Sequence, residues 1–508
     1  MNVWPMTRLG DICEKITDGT HHSPPNHVSG EFKYVTAKNI KPWGLDLQDI
    51  SYIDAKTHRE IYSRCDVRKH DVLYVKDGAT TGRVALNPLD EEFSLLSSVA
   101  VLRPGAALRP KYLMYALQEK RTLDRMLSGV AGVAITRLTL KKLNDSVIPL
   151  APVAAQDRIV DKLEELLSDL DAGVAELKAA QKKLAQYRQS LLKAAVEGQL
   201  TEAWRAQHGE PEESGAQLLA RILRERRARW EAKQLAKFEA QSKAPPKGWQ
   251  AKYPEPAVLD AQGLKELPRG WVWASLDMLS EIQGGIQKQP SRAPVFNKYP
   301  FLRVANVARA ELKLEEVHEI ELLPGELERL ALQRGDVLIV EGNGSLTEIG
   351  RCALWDGSIK DTVHQNHLIR ARPISMSSEF LAAWLNSLGG IDILTRLAAT
   401  TSGLYTLSVG KLSKVPVPLP PAEEQVAAAG MLAEALEEMD RQNVAIKVAL
   451  RQAAAQRKNI LQAAFSGQLV PQDQTDEPAS VLLERIRAER ARHGAAKPPR
   501  GRKTKESV

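Results

Sequence analysis

The sequence predicts an α/β protein with coiled-coil helices, in which an α/β domain followed by a long helix occurs twice. Three observations predict this fold class. They are a duplication that spans nearly the whole chain, mixed strand and helix patterns in the first part of each copy, and a heptad pattern in the second part. The length of 508 residues is also too great for one ordinary hydrophobic core.

The internal repeat is visible at several places along the chain. The segment LLKAAVEGQL at Leu191 matches ILQAAFSGQL at Ile460 with an offset of 269 residues. Further upstream, KYVTAKNI at Lys33 matches PFLRVANV at Pro300 with an offset of 267. Loop insertions account for such small drifts in offset, so the two copies are expected to share one fold.

The first part of each copy, residues 1–150 and 268–419, is predicted to be an α/β domain. Short β-rich runs are separated there by Gly, Pro and Asn, and residues 72–75 (VLYV) and 337–340 (VLIV) are predicted buried strands. Continuous helices are predicted over residues 111–127 and 378–397.

The second part of each copy, residues 151–200 and 420–470, is predicted to be a long helix that pairs with its counterpart as a coiled coil. Apolar residues step by three and four from Val160 through Tyr187, and the second helix keeps this register with the polar Asn443 in its seam. Proline-rich segments, IPLAP and VPVPLPP, precede the two helices. The alternative is two amphipathic helices that each pack on their own domain.

The charge distribution weakens a simple electrostatic argument for nucleic-acid binding. The net charge is +7, but residues 484–508 carry nine Lys and Arg against three acids. Most of the net charge can therefore be assigned to a basic C-terminal extension, residues 471–508. Residues 201–267 are predicted to form a basic helical extension and a Pro-rich linker.

Composition excludes several classes of protein. No stretch approaches the roughly eighteen uninterrupted apolar residues of a membrane span, and residues 1–10 do not resemble a secretion signal. The three cysteines, Cys13, Cys65 and Cys352, are far apart and form no CxxC pair. They predict neither a disulfide framework nor a zinc site, and the chain is expected to be cytoplasmic.

Searches for catalytic motifs give only partial matches. Residues 337–344 resemble an S-adenosylmethionine loop, but the third glycine is replaced by Thr347 and the first copy lacks the pattern. No phosphate-binding GxxxxGK[ST] motif occurs. The histidines of segments 21–27 and 364–367 lack Cys or carboxylate partners at metal-ligand spacing. The sequence therefore predicts no cofactor, no metal and no catalytic residue in this chain.

Polar loops in the two α/β domains are the predicted functional surface. Asn and Gln side chains can pair bidentately with adenine, and Arg or Lys with guanine, so such loops are suited to DNA contact. The alternative is that each residue is an ordinary surface residue. The candidate contacts are Thr17, Thr20, His21, His22, Lys38, Asn39, Lys76, Thr80 and Arg83 in the first copy, and Gln287, Lys288, Arg303, Asn306, Asn343, Ser345, Arg351, His364, Gln365, Asn366 and His367 in the second.

Over nearly its full length the chain resembles the specificity subunit of type I restriction–modification systems. The resemblance is carried by the duplicated order of domain and long helix, by IPLAP and VPLPP, and by the EGQL and SGQL helix ends. YVTAKNI, FLRVANV and the GDVL strand resemble parts of that family's target-recognition domains. TDGTHHSPP and VHQNHLIRARP resemble loops of such domains.

The resemblance implies a fold and a set of partners. It implies two target-recognition domains, separated by two long antiparallel helices with pseudo-two-fold symmetry, that each recognise one half of a bipartite, asymmetric DNA sequence. Two modification subunits that use S-adenosylmethionine would dock on the chain and methylate adenine. Two restriction subunits that use ATP and Mg would join them.

Two questions stay open from the sequence. The basic extensions after the long helices either bind a partner subunit, which we favour, or are solvated helix. The main alternative function is a coiled-coil scaffold that assembles proteins without recognising DNA, and a fused methyltransferase is the enzyme alternative.

Overall fold

The computed structural model describes residues 4–128, 137–342, 348–399 and 406–495, with the backbone alone described over 489–495. The chain divides into two compact units. Unit 1 comprises residues 1–178 and 446–508, and unit 2 comprises residues 179–445. Every helix in the described ranges is too short or too polar to span a lipid bilayer.

The first copy begins in unit 1 and consists of short strands followed by one long helix. Its elements are β1 (Met6–Arg8), α1 (Leu9–Ile12), β2 (Cys13–Asp18), β3 (Phe32–Val35), β4 (Ile40–Lys41), β5 (Gly44–Leu45), β6 (Ser51–Ile53), α2 (Ala55–Tyr62), β7 (Val72–Val75), β8 (Val84–Leu86), β9 (Ser94–Leu95), β10 (Val99–Pro104), α3 (Pro110–Gln118), α4 (Lys120–Leu127), α5 (Leu140–Asp145), β11 (Val147–Pro149), α6 (Val153–Val196), α7 (Glu202–His208) and α8 (Gly215–Ala240).

The second copy repeats this order and ends in unit 1. Its elements are β12 (Val272–Ser275), α9 (Leu276–Leu279), β13 (Ser280–Gly284), β14 (Lys298–Leu302), β15 (Val307–Ala308), β16 (Glu311–Leu312), β17 (His318–Glu321), α10 (Glu326–Leu330), β18 (Val337–Val340), β19 (Cys352–Leu354), β20 (Val363–His364), β21 (Leu368–Pro373), α11 (Ser378–Asn386), α12 (Leu388–Ala398), α13 (Val409–Leu412), β22 (Pro416–Leu419), α14 (Ala422–Phe465) and α15 (Ala479–Ala495).

The two copies build the same sheets. An antiparallel four-stranded sheet has the order β2-β10-β7-β8 in the first copy and β13-β21-β18-β19 in the second. A three-stranded sheet has the order β6-β3-β9 and β17-β14-β20, and its last pair is parallel in both copies. Two-stranded pairs β1-β11 and β12-β22 join the ends of each domain. The predicted fold class and internal repeat are confirmed.

One of the two inner strands of the four-stranded sheet, β7, is buried on both faces, as the sequence predicts. In β7, Val72 and Tyr74 pack in one apolar cluster, whereas Leu73 and Val75 pack in another. Alternate side chains of a strand point to opposite faces, so a strand covered on both sides is continuously apolar. The same pattern explains the VLIV sequence of β18, whose four residues are all buried.

A buried ion pair holds the sheet in each copy. The Arg103 guanidinium lies 2.9 Å from Asp71, and the Arg372 guanidinium lies 2.6 Å from Asp336. These residues are equivalent in the repeat, and both aspartates are buried. Removing one partner of a buried pair costs about 3–5 kcal/mol because the other charge is left without compensation. The two copies therefore share framework interactions as well as topology.

The two long helices have equal length and pair in an antiparallel direction. Both α6 and α14 contain 44 residues. Within unit 2, Arg188 lies 3.2 Å from Asp440, and Gln181 donates to the Asn443 side chain at 3.2 Å. From the first contact to the second, the residue number falls in α6 and rises in α14, so the two helices are antiparallel. The predicted pairing of the helices is confirmed.

The helix pair repeats one ion pair in both units. Within unit 1, Arg457 lies 2.7 Å from Asp171, and this pair is equivalent by the repeat to Arg188 and Asp440 in unit 2. One predicted seam residue is wrong, because Tyr187 is 57% exposed. Steps of three and four from Val160 place Gln181 and Arg188 in the seam. Both are polar, so a search for apolar residues selects the neighbouring Tyr187 instead.

Two predicted helices are each divided into two. The helix predicted over 111–127 breaks at Glu119, whose carboxylate accepts hydrogen bonds from the backbone of the next helix at 2.9 and 2.7 Å. The helix predicted over 378–397 breaks at Ser387, which caps α12 through Gly390 at 3.2 Å. A capping side chain satisfies the free N–H groups of a new helix, which a periodicity count does not detect.

A buried glutamine fastens each long helix to its own domain. The Gln156 side chain donates to Ala107 and Ala151 and accepts from the Arg109 backbone, with distances of 2.8–2.9 Å. Its equivalent, Gln425, accepts from the Ser377 backbone at 2.8 Å. Fully bonded polar groups in a dry environment fix geometry, so each helix begins at a set angle to its sheet.

Candidate nucleic-acid interface

In each copy, the first strand of the four-stranded sheet ends in a polar loop that is fixed beside a second loop. After β2, the Thr20 backbone donates to the Leu95 carbonyl at 2.8 Å. After β13, the Ile286 backbone donates to the His364 carbonyl at 2.8 Å. The structure thus brings the predicted contacts at 287–288 together with those at 364–367.

A glycine makes this close approach possible in both copies. A Cβ atom added at Gly19 would lie 1.8 Å from the Leu95 carbonyl oxygen, and one added at Gly285 would lie 2.2 Å from the His364 carbonyl oxygen. Neither distance is sterically possible, so only glycine fits at these two positions. The local sequence therefore fixes where each polar loop begins.

Two predicted contact residues, Asn39 and Asn306, hold their loops from inside. Asn39 accepts from the Thr36 backbone at 3.0 Å and donates to two carbonyls at 3.2 Å. Asn306 accepts from the Arg303 backbone at 2.8 Å and donates to two carbonyls at 2.8 Å. Each amide is 2% exposed. The structure gives both asparagines a loop-supporting role.

Three predicted basic contacts are also engaged within the domains. Lys76 is 2% exposed and lies 3.4 Å from Asp18 and 3.1 Å from Asp77. Arg83 donates to the Ile40 carbonyl at 3.5 Å, and Arg351 donates to the Val307 and Val304 carbonyls at 2.6 and 3.0 Å. The two arginines brace the equivalent loop in the two copies.

His364 is buried beneath the second-copy loop. Burial lowers its pKa to about 4, so the ring is neutral at physiological pH. Its Nδ1 atom lies 3.0 Å from the Leu368 carbonyl and therefore carries the proton that it donates. This histidine supports the loop while its neighbours lie nearer the surface.

The remaining described candidates are accessible to different degrees. Exposed side chains belong to His21, His22, Lys38, Gln287, Lys288 and His367. Half-buried side chains belong to Thr17, Thr20, Thr80, Arg303, Gln365 and Asn366. His367 lies 3.3 Å from Glu341, and Arg303 lies 3.1 Å from Glu316. Asn343 and Ser345 lie outside the described residues.

Two exposed aromatic residues were not predicted. Phe296 is 89% exposed, and the backbone N–H groups of residues 295–297 donate to the Glu321 carboxylate at 2.8–3.0 Å. Those N–H groups lower the pKa of Glu321. In the first copy, Trp43 is 78% exposed. In the sequence, both residues could have been recognised as aromatic residues that closely follow a proline in a predicted loop.

The interior under the second-copy loop differs from that of the first copy. Arg370 is 3% exposed and donates to the Gln283 side chain at 2.5 Å, whereas Val101 occupies the equivalent place in the first copy. His364 likewise replaces Leu95. The two domains therefore share a frame but support their polar loops with different chemistry.

The described chain gives no independent sign of a metal site. Among the residues described, no group of three or more His, Cys, Asp or Glu side chains could hold a metal ion. The strand that resembled a cofactor loop, β18, leads to Glu341, which pairs with His367. Residues 343–347 of that motif lie outside the described residues.

Comparison with known proteins relates this architecture to one group. Residues 1–179 match the family described as type I restriction modification DNA specificity domain. The type I restriction enzyme EcoKI specificity subunit of Escherichia coli K12 is 25% identical over 98% of this chain and 97% of its own length. The StySPI specificity subunit of Salmonella potsdam is 23% identical over 92% of this chain and 90% of its own length.

The fold has a solved counterpart. A chain from a structure that concerns complex assembly and conformational transition of the type I R-M system superimposes with a TM-score of 0.62. It is 19% identical, and the match covers 92% of this chain and 98% of that one. The resemblance stated from the sequence is confirmed: residues 1–179 match the type I DNA specificity domain, and the chain is similar, over nearly its full length, to type I restriction enzyme specificity subunits.

Proposed function

We propose that this chain is the non-catalytic, sequence-specific DNA-recognition subunit of a type I restriction–modification complex. Residues 1–150 and 268–419 are the two target-recognition domains, and each recognises one half of a bipartite, asymmetric target. The long helices within residues 151–200 and 420–470 set the unread gap between the halves.

One observation carries the proposal: equivalent loops on the same frame expose different side chains. The loop after β2 exposes His21 and His22, whereas the loop after β13 exposes Gln287 and Lys288. Base edges in the major groove are distinguished by the pattern of donors and acceptors that a protein presents to them. Two different loop surfaces on one frame therefore support a target with two dissimilar halves.

The paired helices support a bivalent mode of binding. A rigid spacer makes the second recognition event intramolecular, and its effective concentration depends on the spacer geometry. The ion pair that occurs in both units and the Gln181–Asn443 contact fix the helix register. A fixed register supports a fixed gap in the DNA target.

The partners follow from the same role. Two modification subunits supply S-adenosylmethionine-dependent adenine methylation, and two restriction subunits supply ATP- and Mg-dependent cleavage. This chain contributes no cofactor and no catalytic residue. The complex acts in the cytoplasm, as the sequence predicts. The relatives are named as specificity subunits, which supports this division of labour.

The proposed DNA contacts are the accessible candidates of the site. They are His21, His22, Lys38, Gln287, Lys288 and His367, together with the half-buried Thr17, Thr20, Thr80, Arg303, Gln365 and Asn366. The buried or internally bonded residues described above position these loops.

Gln287→Ala should reduce binding to the correct second half-site by about 10–100-fold while leaving the first half-site unaffected. A lost bidentate base contact costs about 1–3 kcal/mol and relaxes the preference at the base it recognised. The measurement is competition binding of the complex, assembled with its modification subunits, to duplexes with changes in one half-site at a time.

Gln442→Ala, which changes an exposed glutamine on the long helix α14, is the matched control and should leave all these affinities unchanged. An equal loss of affinity across all duplexes for Gln287→Ala would identify it as a backbone contact. If the unsubstituted complex had no sequence preference, the proposed function would be wrong and the scaffold alternative would replace it.

A further inference from the structure

A basic segment in unit 2 is not explained by base recognition. We call residues 215–252, which comprise α8 and the following strap, the basic arm. It contains ten Lys and Arg against three Glu, a surplus equal to the net charge of the whole chain. Because all these residues belong to unit 2, the arm can be described relative to the second recognition domain.

The direction of α8 is fixed by three contacts with the start of that domain. The Gly215 backbone donates to the Gly270 carbonyl at 2.7 Å, the Arg226 guanidinium lies 2.8 Å from Asp277, and Lys233 lies 2.9 Å from Glu281. The contact residues follow the same order in α8 and in residues 270–281. Helix α8 therefore runs alongside the segment that leads into β13, in the same direction.

The end of α8 therefore points toward the recognition loop. Strand β13 continues beyond Glu281 to Gly284, and the exposed Gln287 and Lys288 follow. Helix α8 continues from Lys233 to Ala240, which adds about 10 Å at 1.5 Å per residue in the same direction. Lys237 and Lys243, at and just after this end of the helix, therefore lie on the side of the domain where the loop begins.

Aromatic side chains fold the strap back onto the helix. Trp230 stacks on Trp249 with ring centroids 5.7 Å apart, and Phe238 meets the same ring edge-on at 5.9 Å. Tyr253 lies 5.5 Å from the Trp230 ring, and its hydroxyl accepts from Arg226 at 2.9 Å. The strap is a packed part of the arm, and its lysines are held beside the helix.

The charge that remains uncompensated is concentrated in the second half of the arm's sequence, residues 234–252. Two of the arm's glutamates, Glu225 and Glu231, are paired with arginines one turn away at 2.6 and 3.1 Å. Four lysines of residues 237–252 are exposed, and none is in an ion pair with another described residue; they are Lys237, Lys243, Lys247 and Lys252.

We propose that the basic arm binds the phosphate backbone of duplex DNA next to the half-site recognised by residues 268–419. This inference rests on the proposed function, because it needs the second domain to lie on DNA. Lysines that meet phosphates add affinity and position without sequence information. The sequence alone favoured a partner subunit for this segment, but the direction of α8 favours DNA.

The test is a variant with Lys237, Lys243, Lys247 and Lys252 all changed to Gln, in the complex assembled with its modification subunits. Each phosphate contact contributes about 0.9 to the slope of log K against log salt concentration. We expect this slope to fall by about 2–4, with weaker binding to every duplex and an unchanged ratio between specific and non-specific DNA. The matched control changes the same four lysines to Arg and should retain the slope.

Three results would overturn the inference. In the first, the Gln variant keeps the salt dependence of binding while the unsubstituted complex still prefers its target. Only the proposed role of the arm would then be wrong. In the second, the Gln variant fails to assemble with the modification subunits, which would make the arm a protein interface. In the third, the unsubstituted complex has no sequence preference, and the proposed function falls together with this inference.

Discussion

Exchange of residues 1–150 for the equivalent domain of another specificity subunit should replace the first half of the DNA target and preserve the second half and the gap. The first domain closes on itself, because β1 pairs with β11 through Met6 and Pro149, and the Leu150 backbone donates to the Pro5 carbonyl at 3.0 Å. Its chain therefore enters and leaves at one place, which suits an exchange. Each mismatched base pair costs about 1–3 kcal/mol, so the original first half should lose about tenfold or more per base pair.

The exchange is checked by mapping methylated sites in cells that express the chimera with its modification subunit. The donor domain must retain an aromatic residue like Tyr112, whose ring centroid lies 5.2 Å from that of Phe465 in unit 1. The reciprocal exchange, of residues 268–419, is the control and should change only the second half. A chimera that altered both halves would show that the domains do not recognise DNA independently.

Insertion of four residues into each long helix should lengthen the unread gap by about two base pairs while both half-sites persist. Four helical residues add about 6 Å, against about 3.4 Å per base pair of DNA. The insertions belong after Ala179 and after Ala449, because each lies nine residues along its own helix from one partner of the Arg188–Asp440 ion pair. Both helices then gain the same length at the same distance from that pair.

The control for the insertion is the same four residues after Ala179 alone. This change shifts one helix against the other, separates Arg188 from Asp440, and should weaken binding to both the original and the lengthened target. The measurement is binding to a series of duplexes that differ only in gap length. If the double insertion kept the original gap, the helices would not determine the spacing.

Much of the fold could be predicted because its determinants are local or repeated. Continuous apolar strands such as VLYV, the heptads of the long helices and the offset between copies are all properties of neighbouring residues or of a simple comparison. The breaks at Glu119 and Ser387 escaped this approach because a single capping side chain decides them. The exposure of Tyr187 escaped it because the seam position beside it is occupied by the polar Arg188, which a search for apolar residues passes over.

The candidate site was predicted less completely, since accessibility depends on tertiary contacts. Asn39 and Asn306 look like base contacts in a linear sequence, yet each amide bonds to backbone groups up to ten residues away. Lys76 is buried beside Asp18, which precedes it by 58 residues. The direction of α8 depends on pairs such as Arg226–Asp277, and neither composition nor periodicity contains such information.

The most direct test of the central proposal is a methylome of a methylation-free host that expresses this chain with its modification subunit. If the two domains recognise dissimilar half-sites, one new methyladenine motif should appear, in two short, dissimilar parts separated by a fixed gap. A complex shown to be assembled and bound to S-adenosylmethionine that produced no such motif would contradict DNA recognition by this chain.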